Sequence, residues 1–184
     1  GREESDLTID ELKSLVGELK KVVEEGHGSF PEDPEEQLRL AINAVFRSFN
    51  TPRARYYRKS QNIPDTTGTA VNIQAMVFGN MGDTSATGVC FTRDPKNGEK
   101  IFFGEWLPNA QGEDVVAGTH TPGPLTSDQK GTSGTALADA MPATYAELDR
   151  IQKILESHFK DMQDIEFTVE DGKLYLLQTR TGKR

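Results

Sequence analysis

The stretch from Asp164 to Arg180, which reads DIEFTVEDGKLYLLQTR, constrains the fold more than any other part of the chain. Polar and apolar residues alternate on both sides of an Asp-Gly pair, which is typical of a β-hairpin with a tight turn. Because side chains alternate across a strand, Asp164 and Glu166 share one face, and Ile165 and Phe167 share the other. The chain must therefore bury one side of this hairpin in a core.

The length of the turn decides whether the polar residues of the two strands meet. A two-residue turn at Asp171-Gly172 would place Glu166 opposite Leu177 and send Gln178 to the other face. A three-residue loop, with Gly172 in the left-handed position of a bulge, would bring Glu166 and Gln178 to the same face. We predict the three-residue loop because it collects apolar residues on one buried face: Ile165, Phe167, Val169, Tyr175 and Leu177. Leu174 and Leu176 weigh against it, since both then fall on the polar side.

The polar face of the hairpin has two interpretations. A carboxylate and an amide oxygen, from Glu166 and Gln178, suit Mg²⁺, which takes oxygen ligands and keeps waters or phosphate oxygens elsewhere. Arg180 is suited to bidentate contact with a phosphate. In the other interpretation the face is wetted by solvent and carries a surface pair of Asp164 and Arg180, because antiparallel sheets commonly expose one side. The pattern alone leaves both open.

The order of the other elements predicts an α+β fold, in which helices pack on an antiparallel sheet. Amphipathic periodicity and capping residues predict helices over 7–25, from the PEDPEEQ segment at 31–37, from about 51 and over 136–160. Thr8 and Glu11 form a capping-box signature, and Gly26 is the expected C-terminal stop of the first helix. Three runs are strand-like: TAVNIQAMVF, TGVCFTR and KIFFGEWL. We predict one domain over 1–184, with a helical segment at 1–62 and the sheet with one long helix at 63–184.

Composition excludes several classes of partner and site. The net charge is 21 − 29 = −8, which argues against a nucleic-acid partner. No apolar run approaches the ~20 residues of a membrane helix, so no membrane partner is expected. Cys90 is the one cysteine, which excludes an internal disulfide and favours a reducing compartment. His27, His120 and His158 lack ligand spacing, so we expect no zinc site.

Four longer stretches resemble the ATP-grasp nucleotide-binding domain of the pyruvate, phosphate dikinases, in the same order along the chain. They are FPEDPEEQLRLAINAVFRSF, GTAVNIQAMVFGNMGDTSATGVCFTRDPKNGEK, NAQGEDVVAGTHTP and MQDIEFTVEDGKLYLLQTRTGKR. The resemblance covers the chain from about Leu7, and the last of these stretches contains the hairpin. It implies the C-terminal portion of an ATP-grasp domain, with an α+β fold.

The family resemblance implies an enzyme that uses ATP and phosphate to convert pyruvate reversibly to phosphoenolpyruvate. The phosphoryl group travels through a histidine on a separate domain, and Mg²⁺ is the expected cofactor. The N-terminal lobe, the phosphohistidine domain and the pyruvate domain are the implied partners. We expect the isolated chain to be inactive, the parent to be a homo-oligomer, and its location to be cytoplasmic or in a plastid or other organelle. Two alternatives stay open: a fragment of a phosphoenolpyruvate synthase-like dikinase, and a non-catalytic folding or docking module.

The resemblance also implies roles for single residues. Glu166 and Gln178 match the positions near metal and phosphate, Arg180 a phosphate-contacting catalytic arginine, and Asp164 a neighbouring acidic residue. The adenine pocket is implied for three residues: Gln74, Met76 and Val77. From the residues alone, Met76 and Val77 are typical of a core and Gln74 of a sheet edge. Roles are left undecided for Arg93, Gln111 and Glu113; a turn with an ion pair is favoured for Arg93, and ligand contact and loop stabilisation are equally compatible with the other two.

Overall fold

The computed structural model describes residues 6–117, 121–129 and 134–182, so His120 and parts of the predicted loops lie outside the described residues. The chain divides into two compact units, the first ending at Gln74 and the second beginning at Ala75. Among the described residues, no helix combines the length and the apolar character needed to cross a membrane.

The first unit is helical. Its elements are α1 (Ile9–His27), α2 (Pro34–Ser48), α3 (Pro52–Ser60) and a 3₁₀ turn over Asp65–Thr67. The predicted capping box of α1 is present, because Thr8 and Glu11 exchange hydrogen bonds with each other's backbone N–H groups. The predicted stop at Gly26 is wrong by two residues: Gly28 is the C-cap, and its φ of 88° suits glycine.

The helices of the first unit bury little of their own apolar surface. No described residue of α1 or α2 is buried, and Leu19 remains 55% exposed although it lies on the apolar stripe of α1. The buried residue of α3 is Arg58, which donates to the Phe49 carbonyl at 2.6 Å and to Asp65 at 2.8 Å. Arg58 therefore joins both ends of the α3 segment.

The second unit is an antiparallel sheet with helices, which confirms the predicted α+β class. Its strands lie in the order β3-β2-β1-β4-β5. They are β1 (Ala86–Phe91), β2 (Phe103–Pro108), β3 (Gly123–Pro124), β4 (Gln163–Glu170) and β5 (Lys173–Thr181). The helices of this unit are α4 (Gly112–Ala117), α5 (Leu137–Ala140) and α6 (Pro142–Phe159).

One face of the sheet forms the core. Alternate residues of β4, namely Ile165, Phe167 and Val169, have no exposed surface. They pack with Leu148 of α6 and with the side chains of Ala86, Cys90, Trp106, Leu125 and Leu137. Burying a side chain as large as Phe167 contributes about 1.5–3 kcal/mol to folding. This burial fixes which residues of β4 turn to the opposite face.

The strand-like run at residues 69–78 does not form a strand. β-Branched residues favour an extended backbone, but a strand exists only where a neighbouring strand accepts its hydrogen bonds. In the described structure the end of this run uses other partners, because the Phe78 N–H group donates to the Glu170 side chain. This expected strand was therefore wrong.

Candidate metal and phosphate site

The four polar residues predicted to meet on the hairpin do lie together. Asp164 stands opposite Arg180, and Glu166 stands opposite Gln178. Residues that oppose each other in an antiparallel pair project from the same face. This face is the one opposite the core, since Ile165 between the two acidic residues is fully buried.

The predicted three-residue loop is wrong. Glu166 and Gln178 nevertheless share a face, because a bulge within β5 shifts the register instead. The hairpin turns through two residues, Asp171 and Gly172, whose φ angles of 48° and 76° match a turn with two left-handed positions. Glu170 consequently pairs with Lys173. A β-bulge further along then shifts the register between Glu166 and Phe167, and leaves Leu177 without an opposing residue in β4.

The bulge changes which apolar residues of β5 face the core. Leu176 pairs with Phe167 and Leu174 with Val169, so both leucines lie on the core side of the sheet, where Leu176 is still 38% exposed. Leu174 packs against the core cluster. Tyr175 stands opposite Thr168 on the other face, which corrects its predicted place among the buried residues. The bulge thus places leucines inside near the turn and polar residues outside beyond it.

Arg180 is held by a charged hydrogen bond. Its Nε donates to Asp164 Oδ2 at 2.7 Å, and the Asp164 side chain is only 12% exposed whereas that of Arg180 is 55% exposed. The hydrogen bond and negative charge of Asp164 raise the pKa of Arg180, so the guanidinium stays charged. Within the described residues its terminal nitrogens have no hydrogen-bond acceptor, so they are available to an external anion.

Glu166 and Gln178 are close enough to share a ligand. Gln178 Nε2 donates to Glu166 Oε1 at 3.5 Å, a long contact. Rotation of the Gln178 amide by half a turn would direct its oxygen to the same point as the carboxylate. One carboxylate and one amide oxygen fit Mg²⁺, which completes its six positions with water and phosphate oxygens. The described residues contain no larger cluster of His, Cys, Asp and Glu that would suit a metal held by protein alone.

The residues predicted for the adenine pocket lie on a segment without regular secondary structure. Met76 is 67% exposed and Val77 half-buried, so neither is a core residue. Gln74 is exposed and ends the first unit. Their joint role in a pocket stays a prediction.

Two of the three undecided residues make structural contacts. Arg93 donates twice to Glu156 Oε1 of α6, at 2.8 and 3.1 Å, and to the Gly98 carbonyl. This matches the expected turn with an ion pair. Gln111 accepts from the Gly79 N–H group at 3.1 Å, which is a loop-stabilising contact. Glu113 is exposed.

A groove of about 710 Å³ lies where the loop after β1 meets the end of α6. Arg93, Lys96, Glu156 and Lys160 contribute charged side chains to its lining. None of the predicted site residues lines this groove, and its Arg93 and Glu156 groups neutralise each other. The groove is therefore separate from the sheet face that carries the four predicted polar residues.

Sequence reasoning missed Glu170 as a residue connected with the site. Its Oε2 accepts the Phe78 N–H group at 2.6 Å, close to the Met76 and Val77 segment. The signal was present in the alternation of β4, because Glu170 has the same parity as Asp164 and Glu166.

Comparison with known proteins identifies the family of the chain. The family model described as "Pyruvate phosphate dikinase, AMP/ATP-binding domain" matches residues 11–140 and 135–184. The chain is 54% identical over 184 residues to pyruvate, phosphate dikinase 2 of Zea mays, covering 100% of this chain and 20% of that protein. It is 52% identical over 183 residues to pyruvate, phosphate dikinase of Clostridium symbiosum, covering 98% and 20%.

A third relative, the chloroplastic pyruvate, phosphate dikinase of Flaveria bidentis, is 56% identical over 182 residues, covering 98% of this chain and 18% of that protein. The chain thus spans about a fifth of the length of the curated relatives it matches. The family match extends over most of the chain, including the hairpin. The chain belongs to the pyruvate phosphate dikinase AMP/ATP-binding domain family.

Proposed function

We propose that this chain is the part of a pyruvate, phosphate dikinase that supplies the Mg²⁺ and phosphate side of the ATP site. The pairing of Glu166 with Gln178, beside Asp164 with Arg180, is the observation that carries the proposal. These four side chains occupy one open face of a rigid two-strand hairpin, and such a support holds a site more accurately than a loop does.

Each residue has a distinct task in this proposal. Glu166 and Gln178 would hold Mg²⁺ through one oxygen each, and the ion would neutralise charge on the phosphates of bound ATP. Arg180 binds a phosphate through its terminal nitrogens and offsets the charge that develops on the transferred group. Asp164 orients Arg180. Met76 and Val77 offer a polarisable apolar surface to the adenine, with Gln74 as a polar contact.

The whole enzyme in this proposal converts pyruvate to phosphoenolpyruvate with ATP and phosphate, through a histidine on another domain. An N-terminal lobe, the phosphohistidine domain and the pyruvate domain complete it, and the enzyme is a homo-oligomer. The cytoplasm or a plastid is the proposed location, and one of the relatives is named as chloroplastic. This chain alone provides only part of the ATP site and no phosphoryl acceptor.

Calorimetric titration with Mg-ATP tests the proposal. We expect the wild-type chain to release heat, and the double variant Glu166→Ala, Gln178→Ala to bind at least about tenfold more weakly. The matched control is Glu147→Ala, Arg150→Ala, which removes another exposed polar pair from α6 and leaves the hairpin unchanged. A wild-type chain that shows neither heat nor a chemical-shift change at Glu166 would contradict ATP binding by this chain.

A further inference from the structure

The segment that carries Met76 and Val77 is tied to the hairpin by a side chain. The Phe78 N–H group, directly after Val77, donates to Glu170 Oε2 at 2.6 Å. A hydrogen bond to a carboxylate is shorter and stronger than one between neutral groups. Phe78 does not lie in a strand, and in the described structure its N–H group donates to the Glu170 carboxylate. This hydrogen bond fixes the backbone immediately beside Val77.

The next residue is fixed as well, which gives the segment a defined path. The Gly79 N–H group donates to Gln111 at 3.1 Å, and its carbonyl accepts from the Ala110 N–H group at 2.9 Å. A Cβ atom at Gly79 would lie 2.3 Å from the Ala110 carbonyl oxygen and 2.7 Å from that of Ala86. Only glycine permits this approach. The hydrogen bonds of Gly79 fix the backbone after Phe78. The hydrogen bond to Glu170 fixes the backbone on the other side of Phe78, next to Val77.

Glu170 also belongs to the face that carries the proposed metal ligands. The extra residue of the bulge lies in β5, so β4 keeps its regular alternation from Asp164 to Glu170. Glu166 and Glu170 therefore project from the same side, separated by about 13 Å along the strand.

We propose that Glu170 is a positioning residue for ATP: it sets the distance between the adenine-contacting segment at Met76–Val77 and the phosphate platform at Glu166 and Gln178. Strand β4 thus carries both parts of the proposed site. Glu166 is the metal ligand, and Glu170, four residues further, holds the backbone next to Val77. The inference rests on the proposed function, since it assigns the two ends of the same ATP site. Glu170 itself contacts no phosphate.

The test compares two ligands, Mg-ATP and Mg-tripolyphosphate, in the 184-residue chain. We expect Glu170→Ala to weaken Mg-ATP binding about tenfold, the effect of losing one charge-assisted hydrogen bond that orders the segment. Tripolyphosphate has no adenine, so its affinity should stay within about twofold of wild type. Glu170→Gln keeps a carbonyl acceptor for Phe78 and should recover most of the ATP affinity.

The control variant is Thr84→Ala, which removes the Thr84 hydroxyl contact to Asp171 at the same turn but leaves Phe78 bound to Glu170. It should bind both ligands as wild type does. Amide exchange supplies a readout without ligand: the Phe78 N–H group should exchange faster in Glu170→Ala and not in Thr84→Ala.

The outcomes separate the two proposals. If the wild-type chain binds both ligands and Glu170→Ala weakens both equally, or weakens neither, the positioning role of Glu170 is overturned while the site stands. Unchanged exchange at Phe78 in Glu170→Ala also overturns it. If the wild-type chain binds neither ligand, the proposed function fails for this chain and the positioning role falls with it.

Discussion

The Arg180 side chain is exposed, whereas the Asp164 carboxylate that it contacts is mostly buried. In the proposed site Asp164 therefore orients the guanidinium, and Arg180 contacts the ligand. Asp164 accepts a hydrogen bond from Nε of the guanidinium, and the Arg180 side chain as a whole is 55% exposed. A lysine at position 180 would present a single point charge without this planar edge. In the proposed function the pair acts as a phosphate clamp more than as a source of stability, because solvent screens an ion pair whose guanidinium is exposed.

Asp164→Asn separates these two roles. The amide keeps a hydrogen-bond acceptor but loses the charge that orients Arg180, so we expect Mg-ATP affinity to fall about tenfold. The free energy of unfolding should fall by less than about 1 kcal/mol. Calorimetry and urea unfolding measure the two quantities. Full ATP affinity in Asp164→Asn would show that Arg180 needs no orienting carboxylate.

Glu156 of α6 binds Arg93 in the loop after β1, and this contact makes the free energy of unfolding depend on pH in the acidic range. Burial alone would raise its pKa, but the nearby Thr92 hydroxyl, the hydrogen bonds from Arg93 and the charges of Arg93 and Lys100 lower the pKa overall. A lowered folded-state pKa means that the stabilisation is complete above the ordinary value of 4.5 and is lost as pH falls through the folded value.

We therefore expect the stability difference between wild type and Glu156→Gln to be constant from neutral pH down to about 4.5, and to shrink at lower pH. Urea unfolding at a series of pH values measures it. Glu18→Gln on the exposed surface of α1 is the control. A difference that grows in acid would contradict the role given to Glu156.

At the scale of elements, the bulge in β5 changes which face of the sheet alternate residues occupy, which a regular strand cannot do. The leucines near the turn must face the core, and Gln178 must face outward, yet Leu174, Leu176 and Gln178 have the same parity. One extra residue, Leu177, inverts the alternation between the two sets. The bulge thus allows Gln178, a proposed metal ligand, and Leu176, on the core side of the sheet, to stand two positions apart.

Deletion of Leu177 should leave the site assembled. Without the extra residue, the Phe167–Leu176 and Glu166–Gln178 pairs follow one another in a regular ladder. We expect Mg-ATP binding to persist, with a loss of about 1 kcal/mol from the half-buried leucine. Deletion of Thr179 is the matched control, since it would move Arg180 opposite Ile165 and abolish binding. Loss of binding in both deletions would show that the twist of the bulge is itself required.

These elements also show what the sequence could predict. The capping box at Thr8 and the parity of β4 were predictable, because each depends on residues within a few positions of one another. The position of the register shift was not, since a bulged turn and a mid-strand bulge differ little in local energy. The strand expected at 69–78 failed for a related reason: extended propensity is local, whereas a partner strand is not.

At the scale of the whole molecule, burial is distributed unevenly. Leu148 of α6 has no exposed surface, whereas Leu19 of α1 is 55% exposed, although both lie on apolar helix stripes. The periodicity of a helix predicts which face is apolar but not whether another element covers it.

Two alanine substitutions measure this difference. Leu148→Ala should lower the free energy of unfolding by about 3 kcal/mol, because it opens a cavity in the core. Leu19→Ala should change it by less than about 0.5 kcal/mol. Urea unfolding followed by circular dichroism gives both values, and amide exchange should be faster in α1 than in α6. A large loss for Leu19→Ala would mean that α1 is covered in solution.

The turn at Asp171 and Gly172 has a consequence for anyone who wishes to open the chain at a new position. A short turn with an exposed Asp-Gly pair is ordinarily a favourable place for an inserted tag or for the new ends of a circular permutant. Here the Gly172 N–H group donates to the Thr84 carbonyl, and the Asp171 N–H group donates to the Ser85 hydroxyl. Cutting there would release Glu170 together with the turn. The exposed tip of the hairpin is thus a poor place for new ends, because the backbone N–H groups of both turn residues donate to Thr84 and Ser85, directly before β1.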